Sequence, residues 1–395
     1  MSGRIIRLAL GLALSIAPAV STAQVAEPAA ETGSTGAAPQ AKPSRLRSEE
    51  DGWFDLSSFL DTAHGFVPIL VPITEPAVGY GAAGAALFID RARPDARPGF
   101  GRPNMTAVGG LATENGTRGL LAGDVRQLLD DRLQTFAGVV DARVNLDFYG
   151  FSKDQALNHD PLRYTLEPLG GTVRGKYRIA RSRLWAGLSY SLADTKITFD
   201  DASAAAAALN PPERSRVGGM TPSLTYDSRD NIFTPTRGTY SEGSVGIYDQ
   251  ALGGDTAFQR LGLTWIVYLP VHSRVTLGIR GDAAFAFGDP PFYMLPFLTL
   301  RGAPVLRYQG EDVAEVETEV RWQFWKRLSA VGFVGAGSTW NDFEQRDDER
   351  SIVTGGAGMR YELARKYGLH AGLDFAYGPD DSAIYIQFGS AWARP

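Results

Sequence analysis

The sequence predicts an all-β protein, a transmembrane antiparallel β-barrel of about sixteen strands with one long extracellular loop folded inward. Three observations predict it. The chain opens on an export signal, and its body is a series of short segments alternating apolar with polar residues. The polar sides of those segments also carry more charge than a dry core tolerates.

At the amino terminus, Arg4 and Arg7 precede an apolar run from Leu8 to Val20, and Ser21-Thr22-Ala23 precede Gln24. This is the order of a secretory signal peptide over residues 1–23. Its removal takes two arginines and no acid from the chain, moving the net charge from -5 to -7. Such an acidic chain lacks the basic face that nucleic acid requires. There are no cysteines, so disulfides, thiolate metal sites and cysteine nucleophiles are excluded. No stretch after the signal has the ~18 consecutive apolar residues of a membrane helix. Any crossing must therefore be made by strands. Residues 24–63 are rich in Ala, Pro, Ser, Thr and Gly, the composition of a flexible periplasmic linker. A short helix within Trp53 to Thr62 is expected to plug or brace the barrel, which occupies 64–395.

The first strands are predicted over 66–73 and 77–90. Gly79-Tyr80-Gly81-Ala82-Ala83-Gly84 matches the dinucleotide fingerprint G-x-G-x-x-G. That fingerprint needs a helix starting at the glycines and an acid about 20 residues on, whereas this segment runs through Phe88 into an Arg- and Pro-rich connection at 91–103. The glycines are read instead as sites of curvature and close approach on a strand. The remaining strands are expected over 105–113, 117–129, 132–149, 164–180, 183–200, 214–227, 238–249, 257–270, 273–288, 311–325, 328–341, 350–362, 367–377 and 383–392. Short connections should face the periplasm and long ones the exterior, with a helical turn at Ala204–Ala208 in one of the latter.

Alternation assigns the faces. Val275, Leu277, Ile279, Ala283, Phe285 and Phe287 oppose Arg274, Thr276, Arg280 and Asp282; Leu261, Leu263, Trp265, Val267 and Leu269 oppose Arg260, Thr264 and Tyr268. Val140, Ala142, Val144, Leu146 and Phe148 oppose Asp141, Arg143, Asn145 and Asp147; Val316, Val320, Trp322 and Phe324 oppose Glu315, Glu317, Glu319 and Arg321. In a barrel the apolar sets face lipid and the charged sets a wet lumen. The long connection through Leu300 to Glu311, with two arginines, a proline and two glycines, cannot face hydrocarbon, which offers its backbone no partners. It is read as folding into the lumen.

Four stretches carry a family resemblance. Tyr226 to Gly238, with Asp227, Arg229, Asp230, Pro235 and Gly238, closely resembles a periplasmic turn of the BamA/TamA superfamily, the bacterial surface antigen family of outer-membrane insertases and translocators. Leu300-Arg301-Gly302 is similar to that family's Arg-Gly motif at the tip of the sixth extracellular loop. Glu315 to Trp340 resembles the strands that receive the loop, and Gly378 to Trp392, with Ile384, Ile386, Phe388 and Trp392, resembles the closing strand, whose terminal aromatic alternation serves in that family as the assembly signal. Two departures stand out. Ala303 replaces the aromatic after Arg-Gly, and the family's aromatic-x-Asp-x-Gly appears as Phe333-x-Gly335-x-Gly337, without the carboxylate that pairs with the loop arginine. A buried arginine needs such a partner. Glu317 and Glu319 on the neighbouring strand are the expected substitutes, with Phe333 beside them.

The resemblance implies a barrel that inserts or translocates protein clients through a weak seam between its first and last strands. It also implies residence among outer-membrane lipids and lipopolysaccharide, insertion of the barrel itself by the outer-membrane assembly machinery, and no cofactor. The chain reads as a short form without the family's periplasmic substrate-capturing modules. Pro68 and Pro72, which lack amide donors, should leave the first strand under-paired with Ala383 to Trp392. The rival expectation is a passive pore or structural surface antigen that kept only the scaffold. Enzymatic readings find no support: His64, His159, His272 and His370 are scattered, and neither H-E-x-x-H nor G-x-S-x-G occurs.

Overall fold

The computed structural model describes residues 46–48, 50–62, 65–90, 104–150, 157, 160–200, 212–341 and 348–392. The expected signal peptide at 1–23, linker residues 24–45 and the helical turn at Ala204–Ala208 lie outside them. One short helix, α1 (Ser57–Thr62), precedes sixteen strands. These are β1 (Gly65–Glu75), β2 (Gly79–Ile89), β3 (Met105–Thr113), β4 (Arg118–Leu128), β5 (Leu133–Phe148) and β6 (Leu162–Arg178). Then come β7 (Leu184–Phe199), β8 (Arg214–Asp227), β9 (Gly238–Tyr248), β10 (Phe258–His272) and β11 (Val275–Gly288). The last five are β12 (Asp312–Trp325), β13 (Leu328–Asn341), β14 (Asp348–Ala364), β15 (Leu369–Tyr377) and β16 (Ser382–Phe388).

Each strand pairs antiparallel with the next, from β1 to β16 in chain order, in a single sheet. The sheet curls into a nearly closed barrel, and β1 and β16 are the two edges that do not pair. Outside, exposed aliphatic and aromatic side chains such as Leu120, Leu169, Leu224, Trp265, Val353 and Phe375 form an apolar belt. An exposed apolar surface of that extent belongs in lipid. Inside, Glu315, Glu317, Glu319, Arg280, Arg321 and Arg360 are all buried.

The face assignment holds on β10, β11 and β12 and is reversed on β5. Val140, Leu146 and Phe148 are buried, and the latter two belong to a lumenal cluster with Tyr164, Leu166, Tyr293, Met294 and Phe297. The reason is length. A tilted strand needs only about 9–11 residues to cross, whereas β5, β6 and β7 have 16, 17 and 16. Their upper parts stand above the belt, where polar residues face outward; Arg143 pairs there with Glu167 at 3.2 Å. The apolar alternates turn inward against the long loop. The glycines of 79–84 lie on β2, and a Cβ on Gly81 would stand 2.3 Å from the Ala112 carbonyl oxygen. Close strand approach therefore explains that glycine.

Within the expected linker, residues 46–62 pack on the barrel end where the chain enters. Leu56 N donates to the Leu363 carbonyl at 2.8 Å. Trp53 meets Trp325 edge-on at 5.2 Å and stacks with Tyr361 at 6.2 Å. Arg327, fully buried in the two-residue turn between β12 and β13, donates to Asp51 from Nε at 2.8 Å and Nη2 at 3.0 Å, and to Asp55 from Nη1 at 2.7 Å. Arg327 hydrogen bonding holds the Asp51 carboxyl well below the usual carboxylate range, against the opposing cost of burial.

Candidate functional site: a lumenal loop and an open edge

The connection between β11 and β12, residues 289–311, folds down into the barrel. Tyr293, Met294, Phe297 and Leu306 pack against Leu146, Phe148, Leu162, Tyr164 and Leu166 and fill the exterior mouth. Deeper in, Leu298, Leu300, Ala303 and Tyr308 pack with Val313 and Ile352. Arg301 lies at the tip, 7% exposed.

Its guanidinium meets several groups at once. Nε and Nη2 donate to Glu317 Oε1 at 2.9 and 2.6 Å, and the Arg301 amide donates to Glu317 Oε2 at 3.2 Å. Nη1 donates to Asp374 Oδ2 at 2.9 Å and lies 2.8 Å from Glu319 Oε2, the latter an ion pair without hydrogen-bond alignment. The Phe333 ring centroid is 3.6 Å from Arg301 Cζ, a cation–π contact. Asp374 also takes two hydrogen bonds from Arg360, at 2.6 and 2.7 Å. Next to this cluster, Thr299 N donates to Glu315 Oε2 at 2.6 Å, and Arg280 and the Thr299 hydroxyl bond the other oxygen.

The absent carboxylate at position 335 has a steric reason. A Cβ on Gly335 would lie 2.8 Å from Leu300 Cδ2, and one on Gly337 2.6 Å from Leu298 Cδ2. These two glycines receive the loop's leucines, so the acids holding Arg301 stand on β12 and β15 instead. Gly302 has φ +93°, and a Cβ there would meet the Tyr377 backbone at 2.9 Å, so the tip needs glycine for both conformation and space.

The loop also reaches both edges of the sheet. Val305 N donates to Glu75 at the end of β1, Gly302 N donates to the Tyr385 hydroxyl on β16, and Arg307 pairs with Asp380 before β16 at 2.7 Å.

The closing strand is shorter than expected. β16 stops at Phe388; Gly389 takes φ +78°, its amide bonded to the His370 carbonyl at 2.7 Å. The chain then turns inward, and Trp392 is 3% exposed with Nε1 donating to Glu317 Oε1 at 2.6 Å. Trp392 thus lies in the lumen beyond the end of the closing strand, while Ile384 is exposed on the outer face. Gly278 makes the space, since a Cβ there would lie 2.6 Å from the indole. Glu317 therefore holds the loop tip and the carboxyl-terminal tail together.

The connection between β8 and β9, residues 228–237, is not a tight turn. Arg229 is buried, pairs with Asp227 at 2.7 Å and lies over the Tyr240 ring at 4.7 Å. Asp230 accepts from Thr236 N at 2.9 Å, and Gly238 has φ +104° with no room for a Cβ beside Ser228. The Pro235 carbonyl accepts from Arg321 at 2.8 Å and the Phe233 carbonyl from Ser390 N at 2.6 Å. The connection folds into the periplasmic mouth and holds the same tail.

Asp374, Arg360 and the inward turn of Trp392 escaped sequence reasoning, which put Arg280 in the lumen by alternation but not beside the loop. A signal existed for Asp374, a lone carboxylate between the outward Leu373 and Phe375. The turn at Gly389 had none.

A sixteen-stranded barrel with an apolar belt, a charged lumen and an arginine-tipped loop inside it is a transmembrane β-barrel of the outer-membrane kind. Residues 134–298 match the model of the Omp85 superfamily domain. In fold the chain is similar to BamA from Haemophilus ducreyi lacking POTRA domains 1-3, with TM-score 0.57 and 11% identity over 82% of this chain and 69% of that one. It is also similar to CdiB from Escherichia coli, with TM-score 0.55 and 11% identity over 81% of this chain and 61% of that one. No curated protein sequence matches it.

Proposed function

We propose that the barrel inserts or translocates protein clients through the gap between β1 and β16. The single observation that carries this reading is that a sheet of sixteen otherwise fully paired strands leaves those two edges unpaired. A client strand entering there gains hydrogen-bond partners as it enters lipid, where unpaired backbone groups are costly. The lumenal loop supports the same reading. It fills the exterior mouth and ties itself to Glu75 on one side and to Asp380 and Tyr385 on the other, so opening of the gap and movement of the loop are linked. The passive-pore alternative finds less support, because a plugged lumen conducts poorly. We further propose that residues 1–23 direct export, that 24–63 lie in the periplasm, and that lipopolysaccharide and the outer-membrane assembly machinery are partners of the folded and nascent barrel.

The test is reconstitution in liposomes, followed by addition of a urea-unfolded small outer-membrane barrel. Protease-protected, folded client should accumulate faster than in empty liposomes. Equal rates with and without the protein would reject the reading.

A further inference from the structure

The lipid-facing wall of the barrel is not evenly filled. Toward the periplasmic end, β8 presents Leu224 and Tyr226 outward and β10 presents Leu263 and Trp265, all four exposed. On β9 between them, the parity of the exposed Val245 and Ile247 turns only Ser241 and Gly243 outward. The strand register sets Tyr226 and Trp265 on either side of Ser241, and Leu224 and Leu263 on either side of Gly243. The two ridges stand two strand spacings apart, ~10 Å. The groove between them has a volume of about 620 Å³, and Val245 bounds it toward the exterior.

Packing within the protein does not demand glycine at its floor. A Cβ on Gly243 would meet only Leu263 Cδ2, at 3.7 Å, an ordinary contact, whereas one on Gly81 or Gly335 would collide with its neighbours. Glycine weakens a strand, so an outward glycine with room around it leaves space for something outside the chain. The wall behind the groove is firm. Glu242, between the two floor residues and facing the lumen, accepts from Lys176 Nζ at 2.8 Å, from the Tyr240 hydroxyl at 2.9 Å and from the Thr225 hydroxyl at 3.0 Å.

At the periplasmic end of the groove stands a cation. Arg183, exposed in the connection between β6 and β7, donates from its side chain to the Tyr226 hydroxyl, and Arg181 is exposed two residues before it. The Asp227 amide donates to the Arg183 carbonyl at 3.0 Å, which ties this connection to the end of β8. An apolar trough that ends in a guanidinium at the membrane boundary complements the two parts of a phospholipid, a hydrocarbon chain and a phosphate.

We propose that the outer face of β8–β10 binds one glycerophospholipid of the periplasmic leaflet, with an acyl chain laid over Ser241 and Gly243 and the phosphate on Arg183. In hydrocarbon such a groove must be filled, because an empty one forfeits dispersion contacts along both ridges. A chain held on three sides has more protein contact than one on the flat wall, and the arginine fixes the anionic end. These strands stand half-way round the sheet from both β1 and β16, so the site is separate from the gap and does not depend on the insertion reading.

Native mass spectrometry of the full-length barrel, delipidated in detergent and then titrated with dioleoylphosphatidylglycerol or dioleoylphosphatidylethanolamine, tests this. The unmodified protein should retain one phospholipid at a collision energy that strips all others. Gly243→Leu, which fills the trough, should lose it, whereas Ala137→Leu, an equal addition on the outer face of β5, should keep it. Arg183→Ala should weaken the retained lipid about tenfold, the scale of one charge-assisted hydrogen bond, and Arg183→Lys should recover most of that loss. The heat-induced gel shift of an intact barrel reports the folding of each variant separately. Equal retention by Gly243→Leu and the unmodified protein, or no retained phospholipid at all, overturns the proposal. So does a retained adduct of inorganic phosphate without lipid, or displacement of the phospholipid by lipopolysaccharide, which belongs to the other leaflet. An affinity unchanged in Arg183→Ala overturns the assignment of the phosphate.

Discussion

Arg301 is the residue on which the lumen depends most. It brings one positive charge to the buried acids Glu317, Glu319 and Asp374, of which Glu317 and Asp374 are completely covered. Without it, Glu317 keeps only Trp392 and the more distant Arg280 field. Breaking a buried pair by removing one partner costs about 3–5 kcal/mol, because the other charge is left uncompensated. Arg301→Ala is therefore expected to lower unfolding stability of the purified barrel by about that amount. The variant should also show raised conductance in planar bilayers as the loop detaches. Arg301→Lys should recover only part of the loss, since a single ammonium cannot serve Glu317 and Asp374 with the same fork. At position 335 the opposite experiment is informative. Gly335→Asp supplies the carboxylate that the resembling motif carries but drives Cβ into Leu300, 2.8 Å away. Overpacking of this kind costs about 1–3 kcal/mol, so the substitution should expose the loop to protease and not strengthen it. A gain in protease resistance would show that the leucine gives way and that the acid is accepted.

Among the elements, the segment at 46–62 is fixed by an unusually placed charge. A two-residue strand connection seldom buries an arginine, yet Arg327 is fully buried and bonded to Asp51, Asp55 and the Phe54 carbonyl. This segment precedes β1 and rests on the connections that follow β12 and β14. Arg327→Ala should release it, detectable as protease cleavage between 46 and 62 with the barrel intact. The pH dependence follows from the lowered Asp51 pKa. Stability from a carboxylate depressed on folding is fully present above its unfolded value, 3.8, and is lost only as pH falls through the lower folded value. The segment should accordingly stay docked from neutral pH down to about 4 and detach only in stronger acid. Release near pH 6 would point to another group.

Strands were the most legible elements because a period of two survives wherever one face meets lipid and the other water. Boundaries fell within a few residues for β8, β12 and β13, where Pro, Gly or charged turns punctuate the pattern. The pattern cannot say which face is which once a strand leaves the belt. That is why Val140, Leu146 and Phe148 were placed toward lipid when they pack on the loop. Of the loop site, the charges on β12 were legible by alternation, whereas Asp374 and Arg360 required knowing that β14 and β15 stand opposite the loop tip. The inward turn of Trp392 rests on one glycine φ angle, which no periodicity records.

At the scale of the whole molecule, three features act on one gap. Pro68 and Pro72 remove two amide donors from β1, the lumenal loop bonds to Glu75 on β1 and to Tyr385 on β16, and the amino-terminal segment docked on Arg327 precedes β1. Glu317 links the loop to the tail that follows β16. A barrel built this way should conduct little at rest, and planar-bilayer recordings of the unmodified protein should show small or flickering currents, where a passive pore would show a steady open level. The central claim is that the gap between β1 and β16 is the route by which a client reaches lipid. The most direct measurement is client insertion into liposomes by barrels carrying cysteines at Leu70 and at Ile384 or Ile386, oxidised and then reduced. The claim predicts that insertion of a urea-unfolded outer-membrane barrel stops when the disulfide closes the gap and returns when reductant opens it. Insertion at an undiminished rate through a fully locked barrel would contradict it.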